Sequence, residues 1–331
     1  MQKFKQIMYT IVLAGAFTAI VCAAITADAA QGETTKVMLT KDNTITLNDV
    51  FMPDTVANLQ KQAKELDSRV ESNDPIYLVL NSPGGSIDAG LEAISTMNGL
   101  RRPVKTISLF AASMGFQTVQ GLGERLVTKN GTLMSHKAKG GFFGEFPGQL
   151  DSRYSYYLKR VQRMNEKAVE RTKGKQTLKS YEALIENEYW CDGQDCVNAG
   201  FADAIVLPSC DKSLEGTQQV VLDSFFYAGH SIQIVADYDK CPLNTNPLKW
   251  NILVDGEPLF KEATKPTTNG SSGSTATAPQ YNFLGYAYGY DTTKNTEGVP
   301  GKLTTEQLFE VQQKMKKLQE DRLNRVVIKG Y

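Results

Sequence analysis

The sequence predicts an α/β fold, on three observations. Short apolar runs alternate with helical patterns over residues 36–210. Two of the runs, 76–80 (IYLVL) and 104–110 (VKTISLF), read as strands buried on both faces. Each then leads into a turn or helix entry marked by serine and glycine, Asn81-Ser82-Pro83-Gly84-Gly85 and Ala111-Ala112-Ser113-Met114-Gly115. The 331 residues allow about two domains. With 41% hydrophobic and 22% charged residues, fibrous and wholly disordered classes are excluded. Lys plus Arg (36) balance Asp plus Glu (36), so there is no global basic excess to attract nucleic acid.

In chain order, residues 56–70 place Leu59, Ala63, Leu66 and Val70 at spacings of three and four, an amphipathic helix. The strand 76–80 ends at Pro83, which cannot donate to a ladder, and two glycines then permit a tight turn with close backbone approach. A helix over 86–100, the strand 104–110 and a helix over 112–121 entered at Ser113 follow. Segments 125–129 and 132–136 flank Asn130-Gly131, a hairpin signal. A longer helix is expected over 151–172, with Tyr157, Val161, Met164 and Ala168 on one face. Gly200 stands where a helix would end, before the apolar run 204–207.

Past Cys210 the pattern predicts a β-rich extension over 211–261, with strands at 220–227, 231–235 and 250–254. Residues 262–279 are rich in Ser, Thr, Gly and Pro and read as a linker. In the remaining segment, 280–331, the aromatic stretch 281–290 is expected to pack on the main domain. Thr304 with Gln307 resembles a capping box, and Leu308, Val311, Met315 and Leu318 predict an amphipathic helix over 304–327 that docks on its own domain.

At the other end, Lys3 and Lys5 precede an uncharged run over 7–25, and Ala27 and Ala29 supply the small residues of a signal peptidase site. Export with cleavage after Ala29 is expected. The alternative is an uncleaved anchor, since the run approaches the roughly 20 residues that span a bilayer. Either places the rest of the chain outside the cytoplasm, periplasmic or otherwise extracytoplasmic, with membrane association open through the N-terminal segment. Cleavage removes Cys22 and leaves Cys191, Cys196, Cys210 and Cys241, an even number in an oxidising compartment. One or two disulfides are expected, with three pairings open. No CxxC pair or paired histidine accompanies them, so no metal site is expected.

Any histidine-dependent chemistry has two candidates, His136 and His230. His136 follows the apolar run 132–134 and lies 23 residues after Ser113. A serine hydroxyl is a poor nucleophile at neutral pH and needs an adjacent base and donors for the developing oxyanion. The Met114 N–H, at a helix start, suits one donor, and the Gly84-Gly85 turn is available for the second. A carboxylate to orient the imidazole is offered by Glu186, Glu188, Asp192 or Asp195.

The motifs Asn81-Ser82-Pro83-Gly84-Gly85-Ser86, Ala111-Ala112-Ser113-Met114-Gly115, Met134-Ser135-His136 and Asn198-Ala199-Gly200-Phe201-Ala202-Asp203, in this order and spacing, resemble the Clp protease proteolytic subunit family. The resemblance covers about residues 36–207; the C-terminal third has no counterpart. It implies a Clp protease/crotonase-like spiral of repeated ββα units, with Ser113 as nucleophile, His136 as general base, and the Gly85 and Met114 amides as oxyanion hole. Counting back from Gly200 puts the third member at Glu188, a Glu where the family has Asp, with Asp192 as substitute.

Helix 151–172 looks like the family's handle helix, through which rings of subunits stack, and implies a homo-oligomer. Residues 138–150 (AKGGFFGEFPGQL) sit where the family has a glycine-rich strand that binds substrate by strand addition. Phe142, Phe143 and Phe146 there meet substrate, another subunit or only their own loop.

The function implied is that of a serine endopeptidase cutting peptides or unfolded segments through an acyl-enzyme on Ser113, with no cofactor. Outside the cytoplasm it would work without ATP. Two alternatives are a signal peptide peptidase-like membrane-associated protease with a Ser-Lys pair, for which Lys137 is a candidate, and an inactive oligomeric scaffold.

Overall fold

The computed structural model describes residues 35–69, 71–145, 147–259 and 303–326. The predicted leader, Val70, Phe146, the linker 262–279 and the aromatic stretch 281–290 lie outside them. Among the described residues no helix is long and apolar enough to cross a membrane.

A mixed α/β arrangement with a mainly parallel sheet forms the first part of the chain. β1 (Thr35–Leu39) and β2 (Thr44–Leu47) are followed by α1 (Pro53–Arg69), β3 (Ile76–Ser82), α2 (Ile87–Asn98), β4 (Val104–Ala112), α3 (Met114–Gly121) and β5 (Arg125–Ser135). Next come α4 (Gly148–Glu170), α5 (Leu178–Leu184), a 3-10 turn (Ile185–Asn187), β6 (Tyr189–Asp192), α6 (Gly193–Ala199) and β7 (Ala204–Cys210). The strand order is β1-β7-β5-β4-β3-β2, parallel throughout, and β6 pairs antiparallel with β5.

The alternation of side chains along a strand explains why β3 and β4 read as continuous apolar runs. Ile76, Leu78 and Leu80 enter the core shared with α1, α2 and α3. Val79 of β3 and Ile107 of β4 enter a second cluster with Val37, Leu39, Leu126 and Val206. This second cluster is closed by Leu214 and Leu243, from beyond the sheet domain.

Three expectations are corrected. Asn130-Gly131 makes no hairpin: β5 continues through it, paired with β4 on both sides, Ser108 opposite Val127 and then Phe110 opposite Thr132. The surplus residues 128–131 form a bulge at which β5 changes its second neighbour from β7 to β6. A hairpin would need the two halves to pair with each other, and the neighbouring strands outcompete that. Glycine is still required, because a Cβ at Gly131 would lie 2.3 Å from the Ser108 carbonyl oxygen. The glycine-rich stretch forms no strand over residues 136–145, since no strand of this chain lies beside it, and α4 begins at Gly148, not at 151.

Beyond Cys210 a second, antiparallel sheet is built from β8 (Thr217–Tyr227), β9 (His230–Asp239), β10 (Lys249–Val254) and β11 (Glu257–Pro258), in the order β11-β10-β9-β8. Two-residue turns with both residues at positive φ, Ala228-Gly229 and Asp255-Gly256, join β8 to β9 and β10 to β11, as the right-handed strand twist prefers. The final helix α7 (Thr305–Val326) is entered by the predicted capping box: the Gln307 N–H donates to Thr304 Oγ1 (3.3 Å) and the Thr304 N–H to Gln307 Oε1 (2.8 Å). Val311 and Met315 pack on Ile232, Ile252 and Val254 of this sheet. The cysteines pair as Cys191–Cys196 and Cys210–Cys241.

Candidate active site

Ser113 occupies the turn from β4 into α3, at φ 54° and ψ −115°. A non-glycine residue in that region costs about 1–3 kcal/mol and persists only where its surroundings dictate it. They do so from both sides. The Ser113 N–H donates to the Met134 carbonyl (2.9 Å), and its own carbonyl accepts from the Gln117 N–H (3.1 Å). From below, Gly84 comes so close that a Cβ there would lie 2.6 Å from Ser113 Cβ and 2.8 Å from Met114 N.

His136 follows the last residue of β5, and its Nε2 stands 2.8 Å from Ser113 Oγ. For Nε2 to accept the serine proton, the neutral ring must carry its hydrogen on Nδ1. That Nδ1 is buried and has no hydrogen-bond partner among the described residues. Glu188 lies just before β6, at φ 70°. Tyr189 pairs with Ser135, so one further step along the ladder sets Glu188 across from His136. Its carboxylate, however, turns to Lys139, at 4.0 Å.

Of the other acids, Glu186 pairs with Lys137. Asp192 pairs with Thr132 at the far end of β6, three residues or about 10 Å along the strand from the Ser135–Tyr189 pair. The structure thus brings Ser113 and His136 into contact, sets Glu188 beside them, and keeps Asp192 away.

Gly84 and Gly85 adopt φ 98° and 141°, open to glycine alone. Phe51 clasps their turn: its N–H donates to the Gly84 carbonyl (2.7 Å) and its carbonyl accepts from the Ser86 N–H (2.8 Å). Met114 opens α3, so its N–H stands outside the intrahelical ladder. A helix-start amide next to a serine hydroxyl bonded to imidazole, with the Gly84-Gly85 turn packed against both, is an arrangement able to stabilise an oxyanion and to activate a nucleophile.

Two supports escaped the sequence reading. Tyr181, fully buried, shares a hydrogen bond of 2.7 Å with Ser135, the residue before His136, and accepts from Gln117 Nε2 (3.4 Å). Burial raises its phenol pKa, against the opposing hydrogen bonds from Ser135 and Gln117. Its ring lies among Phe116 and Phe201.

The second is Arg125, whose guanidinium grips Asp203 through Nε (3.0 Å) and Nη2 (2.7 Å) and also donates to Gln120, Gly200 and Arg171. Burial disfavours the Asp203 carboxylate, but hydrogen bonds from Arg125, side chain and backbone, and the charges of Arg125 and Arg171 outweigh it and hold the pKa below its ordinary value. An acid in the Gly-Phe-Ala-Asp run was the only local signal for this pair. The Cys191–Cys196 bridge ties β6, which carries Glu188 at its entry, to α6. Among the described residues no cluster of three or more His, Cys, Asp or Glu is placed to hold a metal ion.

The Clp protease family model matches residues 28–209. The chain belongs to the Clp protease family. Among curated relatives, the ATP-dependent Clp protease proteolytic subunit of Streptococcus mutans serotype c is 32% identical over 171 residues, 51% of this chain and 86% of the relative. That of Streptococcus uberis is 33% identical over 172 residues, with the same coverage. The mainly parallel sheet is consistent with the family's fold, and membership supports a serine-type peptidase acting on peptides or proteins. The match stops at residue 209, just before Cys210, so the second sheet and α7 lie outside it.

Proposed function

We propose that this Clp protease family member is a serine endopeptidase that cleaves peptides or unfolded segments outside the cytoplasm, without ATP. The observation that carries the reading is the 2.8 Å contact between Ser113 Oγ and His136 Nε2 at a strained strand-to-helix turn against which the Gly84-Gly85 turn packs. In the reaction, Ser113 Oγ attacks the scissile carbonyl carbon while His136 Nε2 takes its proton. The oxyanion is received by the Gly85 and Met114 amides. Collapse breaks the C–N bond, the imidazolium returns the proton to the leaving amine, and water repeats the sequence on the acyl-enzyme. Glu188 is assigned to Nδ1, which its carboxylate reaches by rotating away from Lys139. That exposed pairing at 4.0 Å holds it weakly.

Location and assembly rest on separate supports. The leader pattern and two disulfides favour an oxidising compartment. The N-terminal half of α4 exposes Tyr154, Tyr156 and Leu158, and the loop before it exposes Phe143 at 90%, an apolar surface suited to contact between copies of the chain. A Ser-Lys reading loses Lys137, which is engaged by Glu186 while His136 holds the serine. Intact-mass spectrometry after exposure to a fluorophosphonate is the test. A single adduct on Ser113, absent from Ser113→Ala, is expected; no adduct on folded protein would overturn the reading.

A further inference from the structure

The residues that follow the family's part of the chain return to the sheet and reach its site. Cys210, the last residue of β7, is bridged to Cys241, which fixes the start of the loop leading to β10. From that loop Leu243 packs against the apolar cluster that holds Val79 of β3. Two residues on, the Thr245 carbonyl accepts a hydrogen bond from Asn48 Nδ2 (2.9 Å). Asn48 Oδ1 in turn accepts from Asn81 Nδ2 (2.6 Å).

The two asparagines of that relay belong to the segments that shape the oxyanion turn. Asn81 lies in β3 three residues before Gly84. Asn48 opens the segment to Phe51, whose N–H and carbonyl clasp Gly84 and Ser86. A Cβ at Gly85 would meet Val50 Cγ1 at 2.7 Å and the Phe51 carbonyl oxygen at 2.5 Å, so the two segments are in tight register. The relay therefore ties residues outside the family match to two walls of the turn that carries the Gly85 amide.

We propose that Asn48 is a positioning residue for the reaction, and that the C-terminal extension, through the Thr245 carbonyl and Asn48, holds the oxyanion turn in place. The proposal rests on the peptidase reading above. Asn48 touches no reacting atom; it acts by fixing where the Gly85 amide stands. Removing an oxyanion donor costs about 10²–10³ in rate, and misplacing one costs less. The relay is built from this chain's own extension, so the alignment of the turn depends on residues 210–248 as well as on the family's domain.

The test is the rate of fluorophosphonate labelling of Ser113 in the full chain, resolved into an affinity and a maximal inactivation rate. The phosphyl oxygen of the adduct needs the same amides as the oxyanion. Asn48→Ala is expected to lower the maximal rate about tenfold with the affinity unchanged and the thermal midpoint within a few degrees of wild type. Asn48→Asp keeps an acceptor for Asn81 but cannot donate to Thr245; it folds without a new cavity and is expected to lose rate as well. Wild-type labelling rates in both variants would overturn the proposal while leaving the peptidase reading intact. A loss seen only in affinity would overturn it equally, as a binding effect. Absence of labelling in the wild-type protein would defeat the peptidase reading, and the positioning role with it.

Discussion

Replacing Asp203 by Asn removes a charge and changes almost no volume, and it isolates what the buried Arg125 contributes. The Arg125 side chain is 2% exposed and that of Asp203 23%. Two charge-assisted hydrogen bonds, from Nε and Nη2, meet the two carboxylate oxygens. Breaking a buried pair by removing one partner costs about 3–5 kcal/mol, chiefly because the other charge stays buried and uncompensated. Partial exposure of Asp203, the acceptor left on Asn, and the bonds Arg125 keeps to Gln120, Gly200 and Arg171 reduce this to about 2–3 kcal/mol.

Guanidinium chloride unfolding at pH 7 should show a lower midpoint with an unchanged slope. The pH dependence supplies a second reading. Asp203 has its pKa depressed in the folded state, so its contribution is complete above the ordinary carboxyl value, about 3.9, and is lost as pH falls through the folded value. The gap between wild type and variant should therefore be full at pH 6–7, begin to narrow as pH falls below about 3.9, and go on narrowing through the lower folded value. A difference below about 0.5 kcal/mol at pH 7, or one that does not narrow in acid, would refute the reasoning.

Three further outcomes are expected. His136→Ala should slow fluorophosphonate labelling of Ser113 by about 10²–10⁴-fold without altering the unfolding midpoint by more than a surface change does. Gly84→Ala, at φ 98° and with its Cβ 2.6 Å from Ser113 Cβ and 2.7 Å from the Ala112 carbonyl oxygen, should abolish labelling and destabilise the fold by more than about 1 kcal/mol; labelling at the wild-type rate would show that the turn yields freely. Tyr181→Phe keeps the stacked ring but strips Ser135 Oγ of its 2.7 Å partner, and should cost about 1–2 kcal/mol in denaturant unfolding.

The local part of this architecture was legible from the chain. Alternation along β3 and β4, three- and four-residue spacings in α1, the capping box before α7 and αL glycines such as Gly200 all act over a few residues, and so does their signature. The pairing of Ser113 with His136 was legible because motifs carried it. Asn130-Gly131 was misread for a definable reason: its turn chemistry is real, but which strand each flank pairs with is decided by β4, β7 and β6, far away in sequence.

The same limit explains the residues that were missed. Arg125 meets Asp203 across 78 residues, Tyr181 meets Ser135 across 46, and Asn48 meets Thr245 across 197. A polar side chain's own sequence surroundings say that it can bond, not to whom. By itself the sequence determined the elements, the glycine-dependent turns and the candidate nucleophile and base, because each follows from torsional and hydrophobic preferances of neighbouring residues. Only the tertiary structure decided the disulfide pairing, the place of Glu188 opposite His136 with its carboxylate turned to Lys139, and the return of the extension, through Thr245 and Asn48, to the segment that clasps the Gly84-Gly85 turn. Those depend on which surfaces meet when the sheet closes over its core.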